Sequence, residues 1–226
     1  MSPKSSPLTL LPFRSPEKME LPALQQSFNG ADLLPLEQNW QSATQRDFQP
    51  GAVQVAWCPD YLHILVDLID EDIVVLGPTV QTSSLVVADI FLVFIDRPES
   101  NDYLELHVTP DAQLRAIAWT PERLRRFRDG NLSIDEITAE NGHTLYAETW
   151  TKEKSGAWQA YLRVPGPLIA PSSCSFRKDA SIKATFCRFD AAPDSVAPVL
   201  SSTSSFANGP KFHDSKFWHE IVLRDA

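Results

Sequence analysis

From Asp89 to Pro110 the chain reads DIFLVFIDRPESNDYLELHVTP, a pattern that predicts two strands joined by a short polar loop. In the first, Asp89 to Asp96, both parities are apolar: Ile90, Leu92 and Phe94 on one side, Phe91, Val93 and Ile95 on the other. Such a strand is covered on both faces. The second alternates. Leu104, Leu106 and Val108 share one face, while Tyr103, Glu105, His107 and Thr109 share the other, until Pro110 stops the ladder. That second face sets an aromatic ring, a carboxylate, an imidazole and a hydroxyl in a row at about 7 Å spacing, twice the rise per residue. It reads either as a ligand-binding row or as an ordinary solvated sheet face paired across strands.

The same patterning continues on either side. Val53, Val55 and Trp57 alternate ahead of a Pro59-Asp60 turn, and Leu62, Ile64, Val66 and Leu68 alternate after it. Further strands are predicted over Ala112 to Thr120, Leu145 to Trp150, Trp158 to Val164, Ser181 to Asp190 and His219 to Leu223. One helix stands out in TPERLRRFRDGN, with Thr120 as cap, Pro121 in the first turn and Asp129-Gly130-Asn131 as its end. About nine to eleven short strands with turn signals every 8–12 residues predict an all-β fold, an antiparallel β-sandwich of jelly-roll or immunoglobulin-like type. Residues 1–26 read as a Pro/Ser-rich N-terminal arm that lies along the domain or stays mobile, and residues 27–226 as a single domain.

Composition narrows the partners. A net charge of −9 argues against nucleic acid, whose phosphates need Lys and Arg, and against a membrane surface. No apolar run has the length of a signal-peptide core or a membrane span. As written, the chain is therefore expected in the cytoplasm, or outside it if a leader has been lost. The three cysteines, Cys58, Cys174 and Cys187, lack metal-ligand spacing; they read as buried thiols or as one Cys174–Cys187 disulfide. No G-x-S-x-G, H-E-x-x-H, P-loop or Rossmann glycine pattern is present, so no enzyme is indicated.

Four pieces in order resemble the carbohydrate-binding modules of family 9, within the wider DOMON-like group of β-sandwiches. They are VQVAWCPDYLHILVDLIDEDI, DIFLVFID, YLELHVTPDAQ, and WQAYLRVP together with the closing FHDSKFWHEIVL. The resemblance spans residues 27 to 224. It implies a non-catalytic domain in which aromatic rings stack on a sugar and polar side chains take its hydroxyls. By the same resemblance, one stacking position falls at Phe212, followed by His213, and the other at Val86. The family's acidic contact falls at Leu92, and two further polar contacts fall at His107 and Thr109. Val86 and Leu92 depart from the pattern, so the resemblance implies the scaffold more firmly than the ligand.

The candidate ligand set is therefore His107, Thr109, Phe212, His213, Glu105 and Tyr103, with Arg115 and Trp119 as an aromatic-cationic pair on one parity. For Phe212 and for Trp119 the competing reading is core packing. Asp67, Asp70, Glu71 and Asp72 crowd four carboxylates together. They read as a solvated turn or as a structural calcium site using Asp70 and Asp72, which related modules often carry. Arg123, Arg125, Arg126 and Arg128 form the one basic cluster, a solvated helix face or a contact for an acidic partner. The leading expectation is a saccharide-binding domain without a cofactor. The competitor is a sandwich kept as an interaction or structural domain after its sugar site decayed. A haem-binding variant lacks axial ligands, since the two methionines are Met1 and Met19.

Overall fold

The computed structural model describes residues 7–14, 20–75, 88–139, 142–152, 156–172, 175–193 and 197–224. Among these, twelve strands build an all-β sandwich. One sheet, the front, runs in the order β7 (Leu114–Trp119), β6 (Tyr103–Val108), β5 (Ile90–Asp96), β10 (Ser181–Asp190), β12 (His219–Leu223), with β11 (Val199–Ser202) extending the edge of β10. The back sheet runs β3 (Gly51–Trp57), β4 (Tyr61–Ile69), β9 (Ala157–Pro165), β8 (Tyr146–Lys152), with β2 (Leu34–Leu36) on β3. Every pairing within the two sheets is antiparallel.

The predicted periodicities set the inner faces. Phe91, Val93 and Ile95, with Leu104, Leu106 and Val108, meet Val53, Val55, Ile64, Val66, Trp158 and Leu162 in one inter-sheet core. Trp57, Trp158 and Trp218 are buried, as their apolar strand contexts predict, whereas Trp150 is half-buried.

The chain's first segment adds what periodicity did not show. β1 (Leu8–Pro12), inside the Pro/Ser-rich arm, pairs in parallel with β12 through Leu8–Leu10 and with β3 through Leu11 and Pro12. It thereby joins the two sheets along one side. Helix α1 (Leu21–Ser27) then lays Leu24 and Phe28 on the outer face of the back sheet, against Phe13, Leu65 and Tyr161. β1, β2 and β11 are the short strands that carry the total past the expected nine to eleven.

Helix α2 (Pro121–Arg128) forms where expected. Thr120 caps it, its hydroxyl accepting the Arg123 N–H at 3.1 Å, and Asp129 closes it. α2 and a 3₁₀ turn at Ile134–Ile137 cover one half of the front sheet's outer face through Leu124, Leu132, Ile134 and Ile137 packed on Ile117 and Trp119. The loop of residues 203–218 covers the other half, with Phe206, Phe212 and Trp218 on Ile90, Leu92, Phe94 and Cys187. The Tyr103 row runs down the seam between these two covers. It is therefore not a solvated face.

Candidate functional site

The seam is built on β6. Strand pairing sets Glu105 between Phe94 and Ile117, His107 between Leu92 and Arg115, and Tyr103 between Asp96 and Trp119. Glu105 is the hub and is only 6% exposed. Its Oε1 accepts the Nε2–H of His107 at 2.7 Å, and its Oε2 accepts the Trp119 indole N–H at 2.5 Å. The Tyr103 hydroxyl donates to Nδ1 of His213 at 2.6 Å, so the other ring nitrogen of His213 faces Glu105 Oε2 at 3.9 Å. Burial pushes the Glu105 carboxyl up, but hydrogen bonding and charge from His107, the charge of His213 and the Trp119 N–H outweigh it and hold the group below its ordinary value. Glu105 is thus a buried carboxylate that accepts from two ring N–H donors, with the His213 ring further off at 3.9 Å. Burial, only partly countered by Glu105, lowers His213.

The structure brings together Tyr103, Glu105, His107, Trp119 and His213, all of them expected. It corrects how they are presented. Glu105, His107, Thr109, Trp119 and Phe212 are buried, Trp119 beneath α2 and Phe212 within the residue 203–218 loop. Phe212 packs against Phe94, Phe189, Phe206 and Trp40 at ring separations of 5.6–6.2 Å, so neither face is free to stack on a sugar. Its loop is fastened by the Trp218 indole N–H donating to the Phe212 carbonyl at 2.8 Å. Thr109 turns toward the next loop, its hydroxyl donating to Asp111 at 2.5 Å and accepting the Gln113 N–H at 3.1 Å. Leu92 is 1% exposed in the same apolar layer. Val86 lies outside the described residues.

Polar reach survives at the mouth of the seam. Nδ1 of His107 has no hydrogen-bond partner among the described residues. Arg115 stands opposite it on β7 and is half-buried, as are Tyr103 and His213. One aromatic was absent from the expected set: Trp40, half-buried in the loop before β3 and edge-on to Phe212 at 6.0 Å. Only its side chain type hinted at it, since it lies in a turn without periodicity.

A second polar centre lies inside the sandwich. Arg188 on β10 is fully buried. Its Nη2 pairs with Asp190 at 2.8 Å and Asp70 at 2.9 Å, and its Nη1 donates to the Ile69 carbonyl at 2.6 Å and to that of Gln49 at 3.3 Å. Asp70, Asp89 and Asp190 place carboxylate oxygens within 4.8 Å of one another. Burial, with Asp70 adding to it, pushes Asp89 up to about 8; burial also pushes Asp190 up to about 7 against the pull of Arg188. Asp70 and Asp72, the residues of the alternative calcium reading, are already bonded within the protein. Asp70 already accepts from Arg188, the Trp158 indole at 3.0 Å and the Asp72 N–H at 3.2 Å, while the Asp72 carboxylate accepts from Gln49 at 3.3 Å. A guanidinium already supplies the positive charge beside Asp70. Asp67 is exposed on β4.

Cys187 is buried beside Ser202, 3.5 Å away, and burial raises its thiol far above the ordinary value. Cys187 is a free thiol, as the buried-thiol reading has it, and Cys174 lies outside the described residues. Glu105 and Asp70 sit in separate networks, each with its oxygens already bonded.

No protein-family model matches the chain, and no curated protein matches it in sequence. Its fold does match solved structures. A family 9 carbohydrate-binding module from Caldicellulosiruptor kristjanssonii, in complex with cellotriose, superposes with a TM-score of 0.65 at 12% identity, over 97% of this chain and 94% of the module. The module from the same organism in complex with glucose gives 0.61 at 12% identity, over 96% of both chains. A candidate carbohydrate-binding protein from Bacteroides uniformis gives 0.64 at 14% identity, over 97% of this chain and all of that one. The likeness is one of fold and runs the length of the chain.

Proposed function

We propose, for a domain that shares the fold of family 9 carbohydrate-binding modules, a non-catalytic role in which it holds the end of a sugar or glycan at the mouth of the front-sheet seam. The observation that carries this reading is the end-to-end likeness to two module structures that hold cellotriose and glucose. The seam adds local support, because it falls on the strand where the family resemblance puts hydroxyl contacts. Arg115 and His213, both half-buried, are the polar groups offered to a sugar hydroxyl, beside the buried and unpaired Nδ1 of His107. Glu105 orients the His107 imidazole and Tyr103 that of His213, and Glu105 does not itself reach the ligand. With Phe212 packed away, hydroxyl hydrogen bonds outweigh ring stacking, and affinity is weak. Titration calorimetry with glucose, cellotriose and xylan- and mannan-derived oligosaccharides tests the reading. Arg115→Ala and His213→Ala are each expected to weaken a bound sugar roughly tenfold, the worth of one hydrogen bond. Absence of binding across the whole panel removes the proposal.

A second reading has its own support. Phe212 is 5% exposed and Glu105 is saturated by partners of its own, as in a sandwich kept for protein interaction or structure after its sugar site closed. That reading stands if no glycan binds while the domain folds normally.

A further inference from the structure

The basic cluster on α2 has no part in the seam. Two of its members, Arg123 and Arg126, line a separate cleft of ≈ 510 Å³ together with Arg97 from the end of β5. That volume lies within the range of small-ligand sites, about 300–1,000 Å³. Leu104, Ala118 and Leu168, members of the inter-sheet core, line the cleft beside the arginines.

The guanidiniums are held in place. Arg97 Nη1 bonds Asp102 at 3.1 Å, while its Nε–H is buried without a hydrogen-bond partner among the described residues. Arg123 Nη1 donates to the Ala118 carbonyl at 3.0 Å, and Arg126 Nη2 to the Asn131 carbonyl at 3.3 Å. Two of the three are thus fixed by backbone oxygens, which do not neutralise them. The lining carboxylates are Asp102 and Glu122, so the cleft carries an excess of one positive charge in a chain of net charge −9. Glu136 feels the charge of Arg126, but its Oε2 is taken by the Ser133 N–H and hydroxyl, both at 2.8 Å. Guanidiniums beside apolar core side chains suit a ligand with a carboxylate at one end and a ring with an apolar C–H face at the other. The planar fork of Arg matches a carboxylate, and charge-assisted bonds of this kind are the strong ones.

We propose that this cleft binds a carboxylate-bearing sugar, a hexuronate residue of an acidic glycan, with the carboxylate on Arg97 and Arg126 and the ring over Leu104, Ala118 and Leu168. This rests on the sugar-binding reading above and adds to it the class of sugar and a second place to hold it. The test is calorimetry of the full chain with glucuronate and galacturonate oligosaccharides, with cellotriose as the neutral ligand and inorganic phosphate as the simple anion. Arg126→Ala, at an exposed helix position, and Arg123→Ala report on the cleft; His213→Ala reports on the seam. The expected result is uronate binding that falls tenfold or more in Arg126→Ala, weakens in 0.5 M NaCl, and is unchanged in His213→Ala. Cellotriose binding without uronate binding overturns the cleft and leaves the seam. Uronate binding insensitive to both arginine substitutions, or phosphate binding as tightly as uronate, also overturns it. Uronate binding at the cleft without cellotriose binding sustains it and removes the seam. If no sugar binds, both fall.

Discussion

Replacing Arg188 by Met gives the sharpest test of how this sandwich is held together. The side chain is fully buried and faces three carboxylates, bonding two of them and two backbone carbonyls at 2.6–3.3 Å. Met fills a similar volume but leaves Asp70 and Asp190 buried without a counter-charge. Removing one partner from such a pair costs about 3–5 kcal/mol. There is a ceiling on the damage, because a stranded carboxylate can take up a proton. For a group of ordinary pKa 3.8, holding the proton at pH 7 costs about 4 kcal/mol. Asp190 already stands at about 7, so it gives way first. A loss of about 3–5 kcal/mol in a domain of this size lowers the melting temperature by roughly 10 °C.

The pH dependence has a definite sign. Asp89 and Asp190 are raised in the folded state, to about 8 and about 7, from an ordinary 3.8. Their stabilising effect is complete below about pH 4 and is lost as pH rises toward 7–8. Arg188 lowers both, so without it the loss is steeper and extends further. Urea unfolding of both proteins at pH 5 and pH 8 is expected to show the larger gap at pH 8. Asp190→Asn added to Arg188→Met is expected to recover part of it. A variant within 1 kcal/mol of the parent at pH 7, or a gap as wide at pH 5 as at pH 8, refutes the assignment of Arg188 as the counter-charge of this cluster.

Three other outcomes follow from the same geometry. Phe212→Ala, which a stacking role would make a binding mutant, is expected to cost about 3–5 kcal/mol of stability by opening a cavity among Phe94, Phe189 and Phe206; denaturant titration reads it, and unchanged stability contradicts the packing. Trp119→Phe keeps the ring but leaves Glu105 Oε2 short of a donor, which is expected to cost about 1–3 kcal/mol and to raise the Glu105 pKa, as followed by carboxyl chemical shifts in a pH titration. Calcium or a chelator is expected to leave the melting temperature unmoved, since Arg188 supplies the positive charge at Asp70; a shift of several degrees contradicts this.

Much of the fold was written in local patterns. Alternation in β4 and β6 and the doubly apolar run of β5 set strand type and inner face, because side chains alternate with a period of two whatever the strand pairs with. Thr120-Pro121 placed α2 for an equally local reason: a cap hydroxyl and a fixed φ act within one turn. β1 was hidden, since its five residues gain their place from parallel partners far away in sequence, at Ile221–Leu223 and Ala56–Trp57.

The sequence by itself determined which residues share the face of Tyr103, Glu105, His107 and Thr109. Only the tertiary structure decided what lies over that face. The residue 203–218 loop and α2 fold onto it, turning a polar row into a buried network with its reach confined to Arg115 and His213. In the same way, only the fold brought Arg188 to Asp70 and Asp89, and Arg97 to Arg123 and Arg126. Strand periodicity fixes which way a side chain points. Which charges meet there depends on pairings between distant segments, and those are settled only when the sheets close.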